Sequence, residues 1–520
     1  MQKHYLLSIL TLLLISQLGV AQTNTSTVIY HLDSAEHQIS KHIYGHFAEH
    51  LGRCIYDGFW VEEDSKIPNQ GRIRTDIIEA LKELSIPSLR WPGGCFADTY
   101  HWKDGIGPRE DRPTMVNVHW GNVTEDNSFG THEFFELCEL LDCEPIICGN
   151  LGSGTVQEMA QWVEYINSNN ISPMTKLREQ NGRKEPFKIK YWGVGNENWG
   201  CGGNMTAQYY TDNLRRYSSY LKDYGDQKLY KIAGGGYGDY YDWTETLMKD
   251  EKGRKSFDGL SLHYYTLNKT WAKKGDAVEF GEADWFSTMT KTLLMEEHIQ
   301  KHTAIMDKYD PEKTKGLIVD EWGNWHDSAP GSNPAFLYQQ NTLRDALVAS
   351  VNLDMFNNHC ERVKMANIAQ AVNVLQSVIL TKGNEMVLTP TYYVFKMYKV
   401  HHDATLIPHQ KKSASYTFND KKIEAVHTSC SKDANGKIHV TITNLDPNNG
   451  QVINCSFEGA TSMKALKGKY ITASKMNDLN DFGKKETIII QDFMDYSFKK
   501  GELQIKMPSK SIVMIELEEK

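Results

Sequence analysis

The chain has 520 residues, several times the usual length of one domain, so a large domain with a smaller companion is expected. Its 57 basic and 66 acidic residues give a net charge of −9, and 24% charged with 40% hydrophobic residues is ordinary for a soluble globular protein. The length excludes a small disulfide-stapled scaffold, and the lack of a basic excess removes the electrostatic footprint of nucleic-acid binding.

The N-terminus has the pattern of a secretory signal peptide over residues 1–21. A lysine precedes an apolar run at residues 5–14, and small residues lead to Ala21 before a polar stretch. The run is too short and interrupted to span a bilayer, and no later segment is long and apolar enough. We therefore predict that the mature chain begins at Gln22 and is exported to a periplasm or outside the cell, with no membrane attachment after cleavage.

Nine cysteines are spread along the chain without a C-x-x-C pair. This spacing gives no support for a zinc or redox motif, so most of them are expected to be small buried side chains. The sequence leaves room for one or two disulfides, but it does not identify which cysteines would pair.

The chain then repeats one pattern, a short apolar or β-branched run followed by a longer stretch with helical periodicity. Eight such runs occur, at residues 43–46, 87–91, 145–150, 189–197, 231–234, 260–265, 317–321 and 365–370. Helices are predicted between them, among others at 75–84 with Thr75 as an N-cap, 131–141, 205–224 and 292–309. Eight strand–helix units predict an α/β fold, a (β/α)8 TIM barrel enlarged by long loops. An open doubly wound sheet is the rival, but no GxGxxG motif follows the first strand.

After Tyr398 the chain changes to short segments in which apolar and polar residues alternate, with turns such as residues 448–450. This alternating pattern is typical of an antiparallel β-sandwich, and a jelly-roll-like sandwich is predicted. Residues 26–32 alternate in the same way and are expected to join the sandwich. Strands are predicted at 421–427, 437–443, 486–490 and 511–517. The predicted domains are a signal peptide at 1–21, N-terminal sandwich strands at 22–40, the catalytic barrel at 41–398 and the C-terminal sandwich at 399–520.

Two glutamates stand where two of the predicted barrel strands end. Glu197 closes the fourth run and Glu321 the seventh, each flanked by tryptophans. Barrel enzymes carry their chemistry at the carboxyl ends of the strands, so both side chains are expected at one mouth. Two carboxylates across an aromatic cleft are the equipment for glycoside hydrolysis, in which one protonates the leaving oxygen and the other attacks or activates water. Spacing alone does not assign the roles, and for either residue alone a capping or salt-bridged acid is the ordinary alternative.

Five motifs in order resemble glycoside hydrolase family 51, which consists mainly of retaining α-L-arabinofuranosidases. They are IYGHFAEHLGR at 43–53, RWPGG at 90–94, GNENW at 195–199, LHYY at 262–265 and DEW at 320–322. The resemblance runs from about residue 28 to the C-terminus. It implies a (β/α)8 barrel with a C-terminal β-sandwich, Glu197 as the acid/base and Glu321 as the nucleophile. It also implies a homo-oligomer, often a hexamer, and the reaction needs no cofactor.

The resemblance further implies a set of substrate-binding residues: Glu49, Arg90, Cys95, Trp120, Asn196, His263, Tyr265, Trp325 and Gln370. Buried amides and carboxylates discriminate between hydroxyls, a phenol or guanidinium favours an ionised nucleophile, and tryptophan faces suit the apolar side of a sugar. Trp120 and Trp325 correspond to aromatics on the aglycone side. For each residue, ordinary packing is the alternative. Cys95 departs from the many members with asparagine there, and because a thiol is a weak donor, specificity is expected to differ.

Residues 46–50 fit H-x-x-E-H, a zinc-protease pattern, and His42 adds a further histidine. That motif needs a helix to place two histidines on one face of the metal, whereas Ile43 and Tyr44 are strand-like residues and are followed by Gly45. No metal site is therefore predicted.

With this resemblance, the sequence predicts an exported retaining exo-α-L-arabinofuranosidase that releases terminal α-L-arabinofuranosyl units from plant polysaccharides or oligosaccharides. Its expected partners are such arabinofuranosyl-containing saccharides, with no nucleic acid. Another retaining barrel glycosidase, of the endo-β-glucanase or xylanase type, and a non-catalytic carbohydrate-binding protein are the alternatives. No motif indicates which arabinose polymer is the substrate.

Overall fold

The computed structural model describes residues 24–460, 462–499 and 501–519. A closed barrel of eight parallel strands, adjacent in chain order, forms the larger unit. The first to eighth barrel strands are Gly45–Phe47, Ser88–Trp91, Glu144–Gly149, Tyr191–Val194, Tyr230–Ala233, Gly259–Thr266, Gly316–Asn324 and Val363–Ala369. Every predicted run contributes one of them, so the predicted (β/α)8 barrel is confirmed. Most of their residues are buried on both faces, which explains why they appear in the sequence as apolar runs.

Ten α-helices are described: Thr75–Leu84, Thr131–Leu141, Val156–Asn167, Pro173–Gln180, Ala207–Tyr220, Tyr241–Glu251, Glu282–Thr292, Leu294–Tyr309, Leu343–Asn358 and Pro390–Tyr398. Arg74 holds the N-cap position and Thr75 is the first helical residue, so the predicted N-cap is wrong. The hydroxyl of Thr75 donates to the carbonyl of Pro68 at 3.1 Å. The helix predicted at 205–224 is shorter at both ends, and the one predicted at 292–309 begins after a break at Leu293. None of the helices in the described ranges has the length and apolar character that a membrane span requires.

Short elements occupy the loops. Two-stranded hairpins pair Asn69–Gln70 with Ile73–Arg74, Met115–Asn117 with Val123–Glu125, Ile379–Lys382 with Glu385–Leu388, and Ser415–Phe418 with Lys421–Glu424. Single 3-10 turns lie at Leu32–Ser34, Lys41–Tyr44, Cys95–Thr99, Trp102–Gly105, Arg109–Asp111, Pro334–Phe336 and Lys399–His401.

The C-terminal part forms two mostly antiparallel sheets. One has the order His409–Lys412, Thr25–His31, Gln451–Glu458, Glu502–Met507, Tyr496–Lys499, and the other Thr405–Leu406, Val426–Lys432, Ile438–Asn444, Ser511–Glu519, Met463–Ile471, Gln491–Asp492. Tyr30 of the first sheet lies 2.7 Å from Thr428 of the second through their hydroxyls, so the sheets face each other. Thr25–His31 pairs in parallel with Gln451–Glu458, which departs from a purely antiparallel sandwich.

The prediction of a strand at residues 486–490 is wrong, because this segment forms no strand in the structure. Ile488 is buried there, but its N–H donates to Asn480 Oδ1 and its carbonyl accepts from Asn480 Nδ2, both at 3.0 Å. One side-chain amide thus takes the place of a neighbouring strand. The strands predicted at 437–443 and 511–517 are present, and the one at 421–427 is divided between two strands.

Candidate active site

Both predicted catalytic glutamates lie at the mouth of the barrel, where its parallel strands end. Glu321 belongs to the seventh barrel strand, whereas Glu197 lies in a turn after the fourth strand ends at Val194. The φ of Glu197, 41°, is in the left-handed region. The N–H groups of Gly200 and Gly202 donate to its carbonyl at 2.7 and 3.1 Å. The surrounding turn therefore fixes a left-handed backbone conformation, which is uncommon for a residue with a side chain.

The two carboxylates face one another beside His263. Its Nδ1 lies 2.8 Å from Glu197 Oε1 and 3.5 Å from Glu321 Oε2. One oxygen of each glutamate and one ring nitrogen lie within 4.8 Å of one another. Although burial opposes a charged ring, the carboxylates of Glu321 and Asp320 raise the pKa of His263 to about 10. The imidazolium therefore offsets the repulsion between the two glutamates.

Glu321 is bound by a guanidinium and a phenol. Arg90 Nη1 donates to Oε1 at 2.9 Å, and the hydroxyl of Tyr265 donates to Oε2 at 2.8 Å. Arg90 comes from the second barrel strand and Tyr265 from the sixth, so only closure of the barrel brings them together. Both side chains are buried, and charge-assisted hydrogen bonds in such surroundings are strong. These contacts hold both oxygens of the Glu321 carboxylate in a fixed orientation.

Glu197 has a different environment. Burial raises its pKa and the nearby Glu321 adds to this, while the hydrogen bond from His263 acts in the opposite direction. Because His263 occupies Oε1, Oε2 is the oxygen left for a bound molecule. One carboxylate held by two donors lies beside another whose pKa is raised, and such a difference in environment separates a nucleophile from an acid.

Asp320 belongs to the site but is absent from the predicted set. Its carboxylate accepts from Ser261 Oγ at 2.5 Å and lies 3.2 Å from His263 Nε2 and 3.6 Å from Arg90 Nε. Adjacent residues of a regular strand point to opposite faces, but the pairing with the eighth strand shifts register here. Such irregularities re-aim side chains near active sites. Asp320 thereby reaches the two cations that contact Glu321.

A cavity of about 250 Å³ opens over the two glutamates. Eight of the predicted site residues line it, namely Glu49, Cys95, Trp120, Glu197, Tyr265, Glu321, Trp325 and Gln370. The other three, Arg90, Asn196 and His263, lie behind this lining and contact it or one another. The structure thus brings all the predicted site residues into one place.

Glu49 is fixed by three donors on one side of this cavity. Phe96 N–H and Trp120 Nε1 donate to Oε1 at 3.1 and 2.9 Å, and Gln370 Nε2 donates to Oε2 at 3.0 Å. Burial, with repulsion from Glu321, raises the pKa of Glu49 to about 7. The ring of Trp120 lines the cavity as expected, and its indole N–H also binds Glu49.

Two buried amide atoms beside the cavity have no hydrogen-bond partner among the described residues, Asn196 Nδ2 and Gln370 Oε1. The other ends of both amides are bound, since Asn196 Oδ1 accepts from Arg90 Nη2 at 2.6 Å and Gln370 Nε2 donates to Glu49. Buried polar atoms are nearly always paired. One donor and one acceptor of fixed orientation are therefore open to the hydroxyls of a ligand.

Aromatic side chains continue from the cavity to the surface. Ring centroids lie 5.1 Å apart for Tyr265 and Trp325, 5.4 Å for Trp325 and Trp271, 5.5 Å for Trp271 and Tyr237, and 6.0 Å for Tyr237 and Trp199. Trp271, in the middle of this row, is 51% exposed. Of these, Tyr265 and Trp325 are in the predicted set. Trp271, Tyr237 and Trp199 lie in loops after barrel strands. The high density of aromatic residues in these loops is the sequence signal that could have identified them.

Cys95 is not the free thiol expected from the sequence. It forms a disulfide with Cys201, 106 residues away, with Cα atoms 5.5 Å apart. The bonded sulfur has no proton to donate, so the predicted weak thiol contact is wrong. The bridge connects the loop after the second barrel strand with the loop after the fourth. Cys201 Sγ lies 3.6 Å from Glu197 Oε2.

The H-x-x-E-H pattern at residues 46–50 begins in the first barrel strand, Gly45–Phe47, and does not form a helix. Its glutamate, Glu49, belongs to the cavity described above. Two groups of side chains in the described ranges have metal-ligand spacing, and both contain Glu197. The groups are Cys95, Glu197 and Cys201, and Glu197, His263 and Glu321.

Comparisons with known proteins identify the family of the chain. The family models for the alpha-L-arabinofuranosidase 1 domain and the alpha-L-arabinofuranosidase C-terminal domain match residues 80–278 and 320–511. An intracellular exo-alpha-L-arabinofuranosidase of Bacteroides ovatus is 51% identical over 98% of both chains. The crystal structure of the GH51 arabinofuranosidase from Xanthomonas axonopodis pv. citri is 46% identical and superposes with a TM-score of 0.93, covering 95% of this chain and all of that one.

The chain belongs to the α-L-arabinofuranosidases of glycoside hydrolase family 51. An alpha-L-arabinofuranosidase from Thermotoga maritima, solved as an arabinose complex, is 28% identical with a TM-score of 0.83, covering 95% of this chain and 99% of that one. The resemblance noted from the five motifs is therefore confirmed.

The predicted export is wrong. The Bacteroides ovatus family 51 relative, which matches nearly the whole chain, is named intracellular. A short apolar run is shared by signal peptides and ordinary core segments, so its length and hydropathy alone do not determine the compartment. The predicted signal peptide at residues 1–21 lies outside the described residues.

Proposed function

We propose that this family 51 enzyme is a retaining exo-α-L-arabinofuranosidase that acts by double displacement. The observation that carries the proposal is the pair Glu197 and Glu321, whose facing oxygens lie within 4.8 Å in one cavity. Retaining glycosidases hold their carboxyl groups about 5–5.5 Å apart, whereas inverting enzymes need about 6.5–9.5 Å to admit a water. The cavity of about 250 Å³ is small beside the roughly 300–1,000 Å³ of usual ligand pockets. This size favours one terminal pentose over the interior of a polymer.

In the first step, a Glu321 oxygen attacks the anomeric carbon of a terminal α-L-arabinofuranosyl unit. Arg90 and Tyr265 orient the carboxylate through hydrogen bonds to its two oxygens. As the glycosidic bond breaks, Glu197 gives its proton from Oε2 to the leaving oxygen. The positive charge of His263 favours this transfer, because it stabilises the Glu197 carboxylate that remains.

In the second step, Glu197 acts as a base. It takes a proton from a water whose oxygen attacks the anomeric carbon, and the ester bond to Glu321 breaks. Arabinose leaves with its configuration retained, and Glu197 is protonated again for the next cycle. Side chains supply both the proton and the nucleophile, so these steps use no cofactor.

Recognition of the pentose is assigned to the polar groups around the cavity. Asn196 Nδ2 and Gln370 Oε1 are open for one hydroxyl each, and the Glu49 carboxylate is oriented by its three donors for another. A site built to pair hydroxyls rejects sugars that lack them more strongly than apolar contact does.

The rest of the substrate is placed on the aromatic row, whose exposed member is Trp271. Arabinose-containing plant polysaccharides or oligosaccharides are the proposed substrate class. The name of the Bacteroides ovatus relative supports an intracellular location, which favours oligosaccharides over intact polymers. The homo-oligomer, with a hexamer as the form expected from the family, stays a prediction.

The experiment replaces Glu197 with alanine and compares aryl arabinofuranosides that differ in leaving-group ability. A good leaving group needs little protonation, so its rate of bond cleavage should change little, while a natural oligosaccharide should lose about 10²–10⁴-fold. Glu185→Ala, which removes an exposed carboxylate away from the cavity, is the matched control. Equal losses on both substrates would show that Glu197 is not the acid.

A further inference from the structure

Two cysteines and the proposed acid/base meet at one point of the mouth. Single ligand atoms of Cys95, Glu197 and Cys201 lie within 4.8 Å of one another. The sulfur of Cys201 is 3.6 Å from Glu197 Oε2, while Oε1 is bound by His263 at 2.8 Å. The disulfide therefore adjoins the oxygen that carries the proton in the proposed reaction.

The bridge is also accessible. Cys95 lines the cavity, and both bridged cysteines are partly exposed, so a small reductant reaches them by the path of the substrate. Among the described cysteines that are not bridged, only Cys143 is partly exposed and the others are buried. The bridge lies outside the barrel strands, so its cleavage leaves every strand pair of the barrel in place.

We propose that reduction of the Cys95–Cys201 bridge creates a site for a thiophilic divalent cation such as Zn²⁺, formed by the two thiolates and Glu197, and that the bound cation inhibits the enzyme. This inference rests on the proposed role of Glu197. Cysteine sulfur and carboxylate oxygen bind zinc at about 2.3 and 2.0–2.2 Å, usually in a four-coordinate site. Thiolates select such ions over Mg²⁺ and Ca²⁺. A water completes the coordination from the side of the cavity.

The chemistry balances with a phosphine as reductant. The phosphine supplies two electrons to the sulfur atoms and takes the oxygen of one water, the S–S bond breaks, and the two protons of that water complete the two thiols. Zinc then displaces both thiol protons and the proton of Glu197 to solvent, and it binds the two thiolates and the Glu197 carboxylate. Neither step needs another co-reactant.

The bound cation inhibits because it occupies Glu197 Oε2. An oxygen that coordinates zinc has no proton to give to the leaving group, and Oε1 is already engaged with His263. In the oxidised protein the same sulfurs have no thiolate to offer. Disulfides are rare in the reducing cytosol, so inside a cell the zinc-sensitive thiol form is the one that prevails.

The test compares the oxidised full-length protein with protein reduced by a phosphine and freed of it without air. Zn²⁺ bound per chain is measured by equilibrium dialysis, and hydrolysis of an aryl arabinofuranoside is followed over a Zn²⁺ titration. Reduction should add one tightly bound ion per chain. It should also lower the half-inhibiting Zn²⁺ concentration by more than about tenfold. Loss of an outer-shell partner alone weakens metal binding by about 10–100-fold, and the two thiolates are direct ligands.

Two variants locate the effect. Cys201→Ser should lose both the extra ion and the added sensitivity, whereas Cys143→Ser, at the other partly exposed cysteine, should keep both. Equal zinc binding by the oxidised and reduced proteins would overturn the proposal, as would an extra ion that leaves activity unchanged, or a bridge that is reduced only when the chain unfolds. A chain without arabinofuranosidase activity would refute the proposed function instead, and the dialysis result would still test the site.

Discussion

Replacing His263 with glutamine tests how this residue sets the pKa of Glu197. The ring lies 2.8 Å from Glu197, 3.5 Å from Glu321 and 3.2 Å from Asp320, and it carries a positive charge because its pKa is raised to about 10. Glutamine retains a polar side chain of similar reach and removes the charge. The variant therefore isolates the electrostatic contribution of His263 from its volume.

The sign of the effect on pH dependence follows from the contacts of Glu197. Both the hydrogen bond and the charge of His263 lower the pKa of Glu197, so their removal raises it. The acid then stays protonated to higher pH, and the alkaline limb of kcat/KM should move upward. At the pH optimum the rate should fall, because a hydrogen bond to a charged group contributes about 1.5–3 kcal/mol, or roughly 10–150-fold.

The assay is the pH profile of kcat/KM on an arabinofuranoside with a poor leaving group, for which proton donation limits the rate. His302→Gln is the matched control, since His302 is buried, burial lowers its pKa to about 4, and its ring binds Thr244 and the Gly238 carbonyl away from the cavity. The control should keep the wild-type profile. An alkaline limb that is unchanged or moves downward in His263→Gln would refute this electrostatic reasoning.

Three further outcomes are expected. Tyr265→Phe removes the 2.8 Å hydrogen bond to Glu321. Because a charge-assisted hydrogen bond is worth about 1.5–3 kcal/mol, kcat/KM should fall by roughly 10–150-fold for good and poor leaving groups alike. A loss confined to poor leaving groups would contradict this role. Trp271→Ala should raise KM for branched arabino-oligosaccharides by roughly tenfold, about 1.4 kcal/mol, and leave small aryl arabinofuranosides unaffected; equal changes on both would show that Trp271 does not contact the aglycone. Asp345 is buried, but His326 and a neighbouring arginine outweigh that burial and lower its pKa from 3.8 to about 2. Its stabilisation of about 2 kcal/mol is then present above pH 3.8 and lost as pH falls toward 2. Denaturant unfolding of Asp345→Asn should show a deficit at neutral pH that narrows in acid, and a constant deficit would contradict this.

Much of the fold could be predicted because the barrel strands are buried on both faces. Their apolar runs end in the residues that build the mouth, so the positions of Glu197 and Glu321 follow from the strand pattern together with the rule that chemistry lies at carboxyl ends. Family motifs were needed to decide which glutamate is the nucleophile, since that difference depends on Arg90, Tyr265 and burial, which no local pattern reports.

The parts that sequence reasoning missed depend on irregular or distant contacts. Asp320 enters the site through a register shift that strand alternation does not predict. The Cys95–Cys201 bridge joins loops 106 residues apart, which meet only when the barrel closes. The apolar run at 486–490 has the alternation of a strand, but Asn480 satisfies its backbone instead.

The measurement that tests the central claim most directly is the location of the covalent intermediate. In Glu197→Ala, an aryl arabinofuranoside with a good leaving group should still react with the nucleophile, while the ester accumulates because no base activates water. Peptide mapping by mass spectrometry is expected to find one arabinosyl group on Glu321. An adduct on Glu49 or another carboxylate, or a burst of the aryl product without any adduct, would contradict the account.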